Sequence, residues 1–169
     1  MKFSRRFVLP LAALLLVAAA KKPELTVRFY VETNARDGAA FSAPVKLQSS
    51  PRQIFVSNVP VINEHDIVGI YPFTAADGTA GCMFKLDEHG RMALEGVSID
   101  KRGSTMVATL CGRQVIDFLI NDRVSDGVLV IPRGMAAVEI LALTKKYPVI
   151  GKTTGKGFAP RPVAPAKLQ

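Results

Sequence analysis

From Leu25 to Glu32 the chain alternates, with Leu25, Val27, Phe29 and Val31 on one side and Arg28, Tyr30 and Glu32 on the other. A period of two is that of a half-buried strand. The "NARDG" that follows closes it with turn residues. "VKLQ" and "RQIFVS" predict two short strands around a Ser49-Ser50-Pro51 turn. "INEHDIVGIYPFTA" opens polar and runs into an apolar stretch that Asp77-Gly78 ends, and "AGCMFKL" sets Cys82, Phe84 and Leu86 on one face of a further strand.

The period then changes. In "DEHGRMALEGVSIDKRG" Asp87 suits an N-cap, and Met92, Gly96 and Ile99 recur at helical spacing with Ala93 and Val97 beside them. Glu88, Arg91, Glu95 and Lys101 fall mostly opposite, as a solvated face, and Gly103 fits a helix stop. "TMVATLCGRQVIDFLIN" reads as a hairpin turning at Cys111-Gly112. "DGVLVIP" is another strand. "RGMAAVEILALTKKYP" closes as a helix with Met135, Val138, Leu141 and Ala142 on one face, Lys145 and Lys146 in its last turn and Pro148 as its stop. The order strands, helix, hairpin, strand, helix predicts an α+β fold: a mainly antiparallel sheet with two helices packed on one face, plus N-terminal strands.

The two ends differ from this body. Lys2, Arg5 and Arg6 precede an apolar run from Phe7 to Ala20 that finishes in three alanines, the pattern of an export signal over residues 1–20 with the mature chain starting near Lys21. "SRRFVL" also touches the twin-arginine pattern. The run is too short to span a bilayer core as a helix. The expected location is therefore extracytoplasmic, periplasmic or secreted, with no transmembrane span once the signal is removed. Residues 149–169 are Gly- and Pro-rich and carry no acid, which predicts a disordered basic tail after a single domain over residues 21–148. "GKTTGKG" within it falls short of a phosphate-binding loop, because its glycines are one residue too close and prolines follow.

Charge follows the same division. The net charge is +8 over 169 residues, but residues 21–144 hold thirteen basic and fourteen acidic side chains. The basicity belongs to the ends, which argues against a nucleic-acid-binding body. Lys145, Lys146, Lys152, Lys156, Arg161 and Lys167 are the candidates for contact with an anionic polymer or lipid.

The run from "VATLCGRQVIDFLINDRVSDGVLVIPRG" into an apolar helix resembles the head region of the first periplasmic domain of SecD-type translocase subunits. Leu110, Gly112, Val124 and Gly127 fall at compatible places, Met135 to Leu143 would be the closing helix, and "PVINEHDI" looks like the family's lead-in segment. The resemblance covers residues 60–147. The chain lacks the family's proline-containing step after the hairpin glycine, its Phe-Thr lead into the last helix, and its transmembrane helices. The resemblance therefore implies a SecD head-like, ferredoxin-like fold and a polypeptide-binding habit, without proton-driven translocation.

Catalytic and metal chemistry find little purchase. Two histidines, His65 and His89, and two cysteines 29 positions apart form no short-spaced zinc motif, and no nucleophile elbow is present. No catalytic, metal-binding or cofactor-binding residues are expected, and no cofactor. Cys82 and Cys111 are candidates for a disulfide, against the alternative of two thiols. The function expected is a non-enzymatic binding or assembly module of the cell envelope, recognising another envelope protein or unfolded polypeptide through exposed strand edges. The alternative is a small secreted hydrolase or metal-dependent enzyme using His65 or His89 with nearby carboxylates.

Overall fold

The computed structural model describes residues 25–151, so the expected export signal and most of the expected tail lie outside the described residues. Eight strands and two α-helices follow in order: β1 (Val27–Thr33), β2 (Ser42–Lys46), β3 (Gln53–Ser57), β4 (Ile67–Thr74), β5 (Ala80–Leu86), α1 (Glu88–Asp100), β6 (Thr105–Leu110), β7 (Arg113–Leu119), β8 (Val128–Met135) and α2 (Ala137–Lys146). This is the expected α+β class, with strand–strand pairing antiparallel throughout. The strands divide into two sheets, a finer feature than the periodicity carried. One runs β2-β3-β1-β6-β7 and the other β4-β5-β8.

The division follows from burial. β1 turns Val27, Phe29 and Val31 inward, and β6 adds Met106, Ala108 and Leu110 beside them. β4, β5 and β8 turn Ile70, Phe84 and Leu129, aligned across their sheet, toward the same interior. Phe29 and Phe84 meet edge to face at 6.0 Å and join the two sheets directly. Such a pair adds about 0.5–1.5 kcal/mol beyond the burial of the rings. Leu94 of α1 and Leu143 of α2 enter this same cluster. Ile54, Val56 and Val107 form a smaller cluster on the other side of the five-stranded sheet.

The turns obey the residue chemistry. Cys111 and Gly112 both take positive φ, 50° and 78°, the two-residue hairpin geometry that matches strand twist. Asp87 caps α1, accepting from Gly90 N–H at 2.7 Å.

Both helices are rotated from the face expected, although Ala93 and Val97 of α1 do pack against the core. α1 buries Gly90, Leu94 and Ser98, while Met92 and Ile99 are more than half exposed. Close packing sets this phase: a Cβ on Gly90 would stand 2.9 Å from Asp66 Cβ, and Ser98 Oγ accepts from Val124 N–H at 2.9 Å. Arg91 and Glu95 are accordingly only part-exposed, in an ion-pair network with Glu88 and Arg123. Ile140 and Leu143 of α2 face the core, as does Tyr147 just past its end, leaving Val138 and Leu141 exposed. β8 runs on through Met135, so that residue is buried as part of a strand. The Glu139 carboxylate accepts from Ala136 N–H at 2.7 Å and fixes where α2 begins.

After α2, Val149 bridges Ile70 in parallel, so the ordered body extends past Pro148. Among the described residues no helix is long and apolar enough to cross a membrane.

Candidate functional site

A sheet edge presents a row of main-chain donors and acceptors that must be blunted, covered or used. Among the described residues there are four such edges. On β2 the residues bonded to β3 alternate with Ser42, Pro44 and Lys46, which face outward. Pro44 has no N–H, and Ser42 gives its own to Gly38 O at 3.1 Å. That edge is blunted. On β4 the outward residue Ile70 donates to Pro148 O at 3.0 Å and accepts from Ile150 N–H at 2.7 Å. That edge is covered.

β7 and β8 are left, and they face each other. β6 alternates its bonds between β1 and β7, which leaves Asp117 and Leu119 of β7 pointing outward. The bond from Leu86 N–H to Gly127 O sets the β5–β8 phase and turns Val128 and Val130 outward. Asp126 Oδ1 accepts the Val128 N–H at 3.0 Å. The main-chain groups of Leu119 and Val130 have no partner among the described residues.

The two strands form a wedge. At its narrow end a Cβ on Gly134 would come within 3.4 Å of Val115 O, and Arg113 donates to Gly134 O at 3.3 Å and to both Glu139 oxygens at 2.7–2.8 Å. At its wide end a cavity of about 490 Å³ opens, walled by Leu119, Ile120, Val128 and Val130 with Leu94 and Met106 beneath. This is within the size range of ordinary ligand pockets. The unpaired strand edges thus border an apolar floor.

Buried polar groups hold the wedge in place. Asp117, only 6% exposed, accepts from Gln48 N–H at 2.6 Å, from Ser49 N–H and hydroxyl, and from Gln114 Nε2 at 3.3 Å. It ties the β2–β3 loop to β7 and curls the five-stranded sheet. Ser98 similarly pins the 121–127 loop to α1 through Val124.

The histidines lie elsewhere. Asp66, Asp87 and His89 place one ligand atom each within 4.8 Å of one another. Three of its four carboxylate oxygens are already engaged within the protein. Asp66 Oδ1 pairs with His89 Nδ1 at 2.8 Å, Asp66 Oδ2 accepts from Asn63 N–H at 2.8 Å, and Asp87 Oδ1 caps the helix. The positive end of α1 also favours anions over a cation here. The arrangement is a latch between the Asn63–Asp66 turn and α1. Hydrogen bonding and charge from Asp66 raise the His89 pKa above its ordinary value. His65 is exposed beside this latch, its N–H bonded to Asn63 Oδ1.

The same turn carries Glu64, 8% exposed and facing Arg28 at 3.3 Å. Burial pushes its carboxyl up, but the hydrogen bond from Arg28 and its own backbone outweigh that and hold it below the usual range. Tyr147 donates to Glu64 O at 2.9 Å, and burial raises its phenol to about 12. These groups join β1, α1 and α2 rather than lining a cleft.

The two cysteines are free thiols in different sheets: Cys82 is buried in β5, and Cys111 is exposed in the β6–β7 turn. The fold does not bring them together. Burial pushes the Cys82 thiol up to about 12, so it stays protonated and inert. Of the basic residues singled out from the sequence, Lys145 is exposed at the end of α2. Lys146 donates to Leu25 O at 2.8 Å and stands over the Tyr147 ring. Lys152, Lys156, Arg161 and Lys167 lie outside the described residues. Leu119 and Val130 were not singled out by the sequence, where "DFLIN" and "GVLVIP" read as ordinary strands; only knowing that these strands do not pair marks them.

No family model matches the chain, and no curated protein does. Two similar solved structures are both of SecDF, the kind of protein the sequence resembles. SecDF in a super-membrane-facing form matches with a TM-score of 0.48 and 15% identity over 68% of this chain and 17% of that one. A structure of SecDF, described as a membrane component that enhances protein export, matches with a TM-score of 0.48 and 16% identity over 69% of this chain and 58% of that one. This chain spans less than two thirds of either neighbour's length.

Proposed function

We propose that this chain is a binding module that receives an extended polypeptide segment as an added strand in the wedge between β7 and β8. The observation that carries this reading is the pair of unpartnered main-chain rows at Leu119 and Val130, facing each other across an apolar cavity. An extended backbone is the ligand that can satisfy both rows at once, and its alternate side chains would enter the cavity. The ligand class is polypeptide with apolar residues at alternating positions. The leader-like first twenty residues favour the cell envelope as the place of work, and the contact needs no cofactor.

Val130→Pro tests this directly. It removes an N–H that faces the wedge and leaves the bonds to β5, and Pro132 already occupies the next outward position of the same strand. Binding of a reduced, carboxymethylated, permanently unfolded protein should weaken about tenfold, the equivalent of roughly one net hydrogen bond. The thermal melt should stay near that of the unaltered chain. Unchanged affinity in a folded Val130→Pro variant would remove the wedge as the site.

A further inference from the structure

The five-stranded sheet has a second face, turned away from the shared core. Ile54, Val56 and Val107 are buried on it, with Tyr30 and Val45 packed against them. The sheet curls over this face far enough that its two edges meet. Gln48, in the β2–β3 loop, donates through Nε2 to Gln114 O at 2.9 Å and through its main chain to Asp117. Residues of β2 and β7 therefore line one cavity of about 310 Å³, although three strands lie between them. Val45, Val56, Val107 and the Tyr30 ring give it apolar walls. It shares no lining residue with the cavity of the wedge.

The lining selects the chemistry of a ligand. Among the described residues no charged side chain lines the cavity, and Arg28, two positions before Tyr30, is turned to Glu64. An ion entering would lose its hydration and meet no counter-charge. Two amides stand on opposite walls, Asn58 just past β3 and Gln114 on β7, and hydrogen bonding fixes how each points. Asn58 Nδ2 donates to Ala39 O at 3.2 Å and Ala40 O at 3.0 Å, and Gln114 Nε2 donates to Asp117 Oδ1 at 3.3 Å. Asn58 Oδ1 and Gln114 Oε1 are left as acceptors with no partner among the described residues. Gln114 is half-buried and Asn58 exposed, so Gln114 Oε1 is the acceptor that water serves less well. Flat rings suit the Tyr30 ring and the valine walls, and the volume lies at the low end of ordinary ligand pockets.

We infer that this cavity binds an uncharged aromatic molecule with one N–H or O–H group, which donates to Gln114 Oε1 while its ring packs on Tyr30 and Val107. The site is independent of strand insertion in the wedge.

Indole and 1-methylindole, which differ only by a methyl in place of the donor hydrogen, are the probes. Indole titrated into the full chain should give saturable NMR shifts at the Val45, Val56 and Val107 methyls and the Thr109 amide, with Leu119 and Val130 unmoved. It should bind about tenfold more tightly than 1-methylindole, the equivalent of roughly one net hydrogen bond. Gln114→Met keeps the length of the side chain and removes the acceptor. Asp117 retains its bonds from Gln48 and Ser49 in that variant, so the fold should hold. Indole should then bind no better than 1-methylindole, whose own affinity should not change. Shifts that stay linear to the solubility limit of indole, or that centre on Leu119 and Val130, overturn the assignment. So does equal affinity for the two probes, or an indole affinity that Gln114→Met leaves as it was.

Discussion

Cys111 occupies one of the few backbone positions where a side chain is forced into the left-handed region, at φ 50° in a two-residue turn. That places its thiol in solvent, while Cys82 is fully buried and held protonated. A thiol reagent added to the native, unreduced protein should therefore consume one thiol quickly and the second only on unfolding. Two thiols in denaturant support this picture; none would mean that the chain bridges Cys82 to Cys111 after all. Single residues were legible where local chemistry decides them: Asp87 as a cap, Gly112 as a turn residue, Cys82, Phe84 and Leu86 as one buried face. They were illegible where distant packing decides. Met92 and Val138 were expected to be core-facing, yet Asp66 against Gly90 and the Glu139 cap at Ala136 set the helix phases instead. His89 found its partner 23 residues away, a contact that no spacing rule reveals.

At the scale of elements, what distinguishes the strands is how each edge is managed. Pro44 blunts β2, residues 148–150 cover β4, and Asp117 ties β7 to the β2–β3 loop without satisfying its own outward main chain. Asp117→Ala would leave the Gln48 and Ser49 N–H groups without their acceptor. It should cost about 1–3 kcal/mol in denaturant unfolding. The amides of Gln48 and Ser49 should also exchange faster. An unchanged midpoint would show that the loop holds its position unaided. The existence and order of strands could be read from period-two alternation, because each strand displays its own burial. Which strands share a sheet could not. The β1–β6 pairing joins residues about eighty positions apart, and the gap between β7 and β8 is a property of neither strand alone.

For the whole molecule, two sheets and two helices share one core, and the cost of that arrangement is a seam where the sheets fail to merge. β7 and β8 converge at Gly134 and Val115, then diverge over Leu94 and Met106. A strand entering there would convert two sheets into one continuous sheet, and this is the central claim. The most direct measurement is amide hydrogen exchange at Leu119 and Val130, with and without a reduced, carboxymethylated, permanently unfolded protein as probe. Both amides should slow together when the probe binds, since one inserted backbone bonds to both edges. Protection confined to β2 or α2, or fast exchange at both positions while the probe is bound, would contradict strand insertion in the seam.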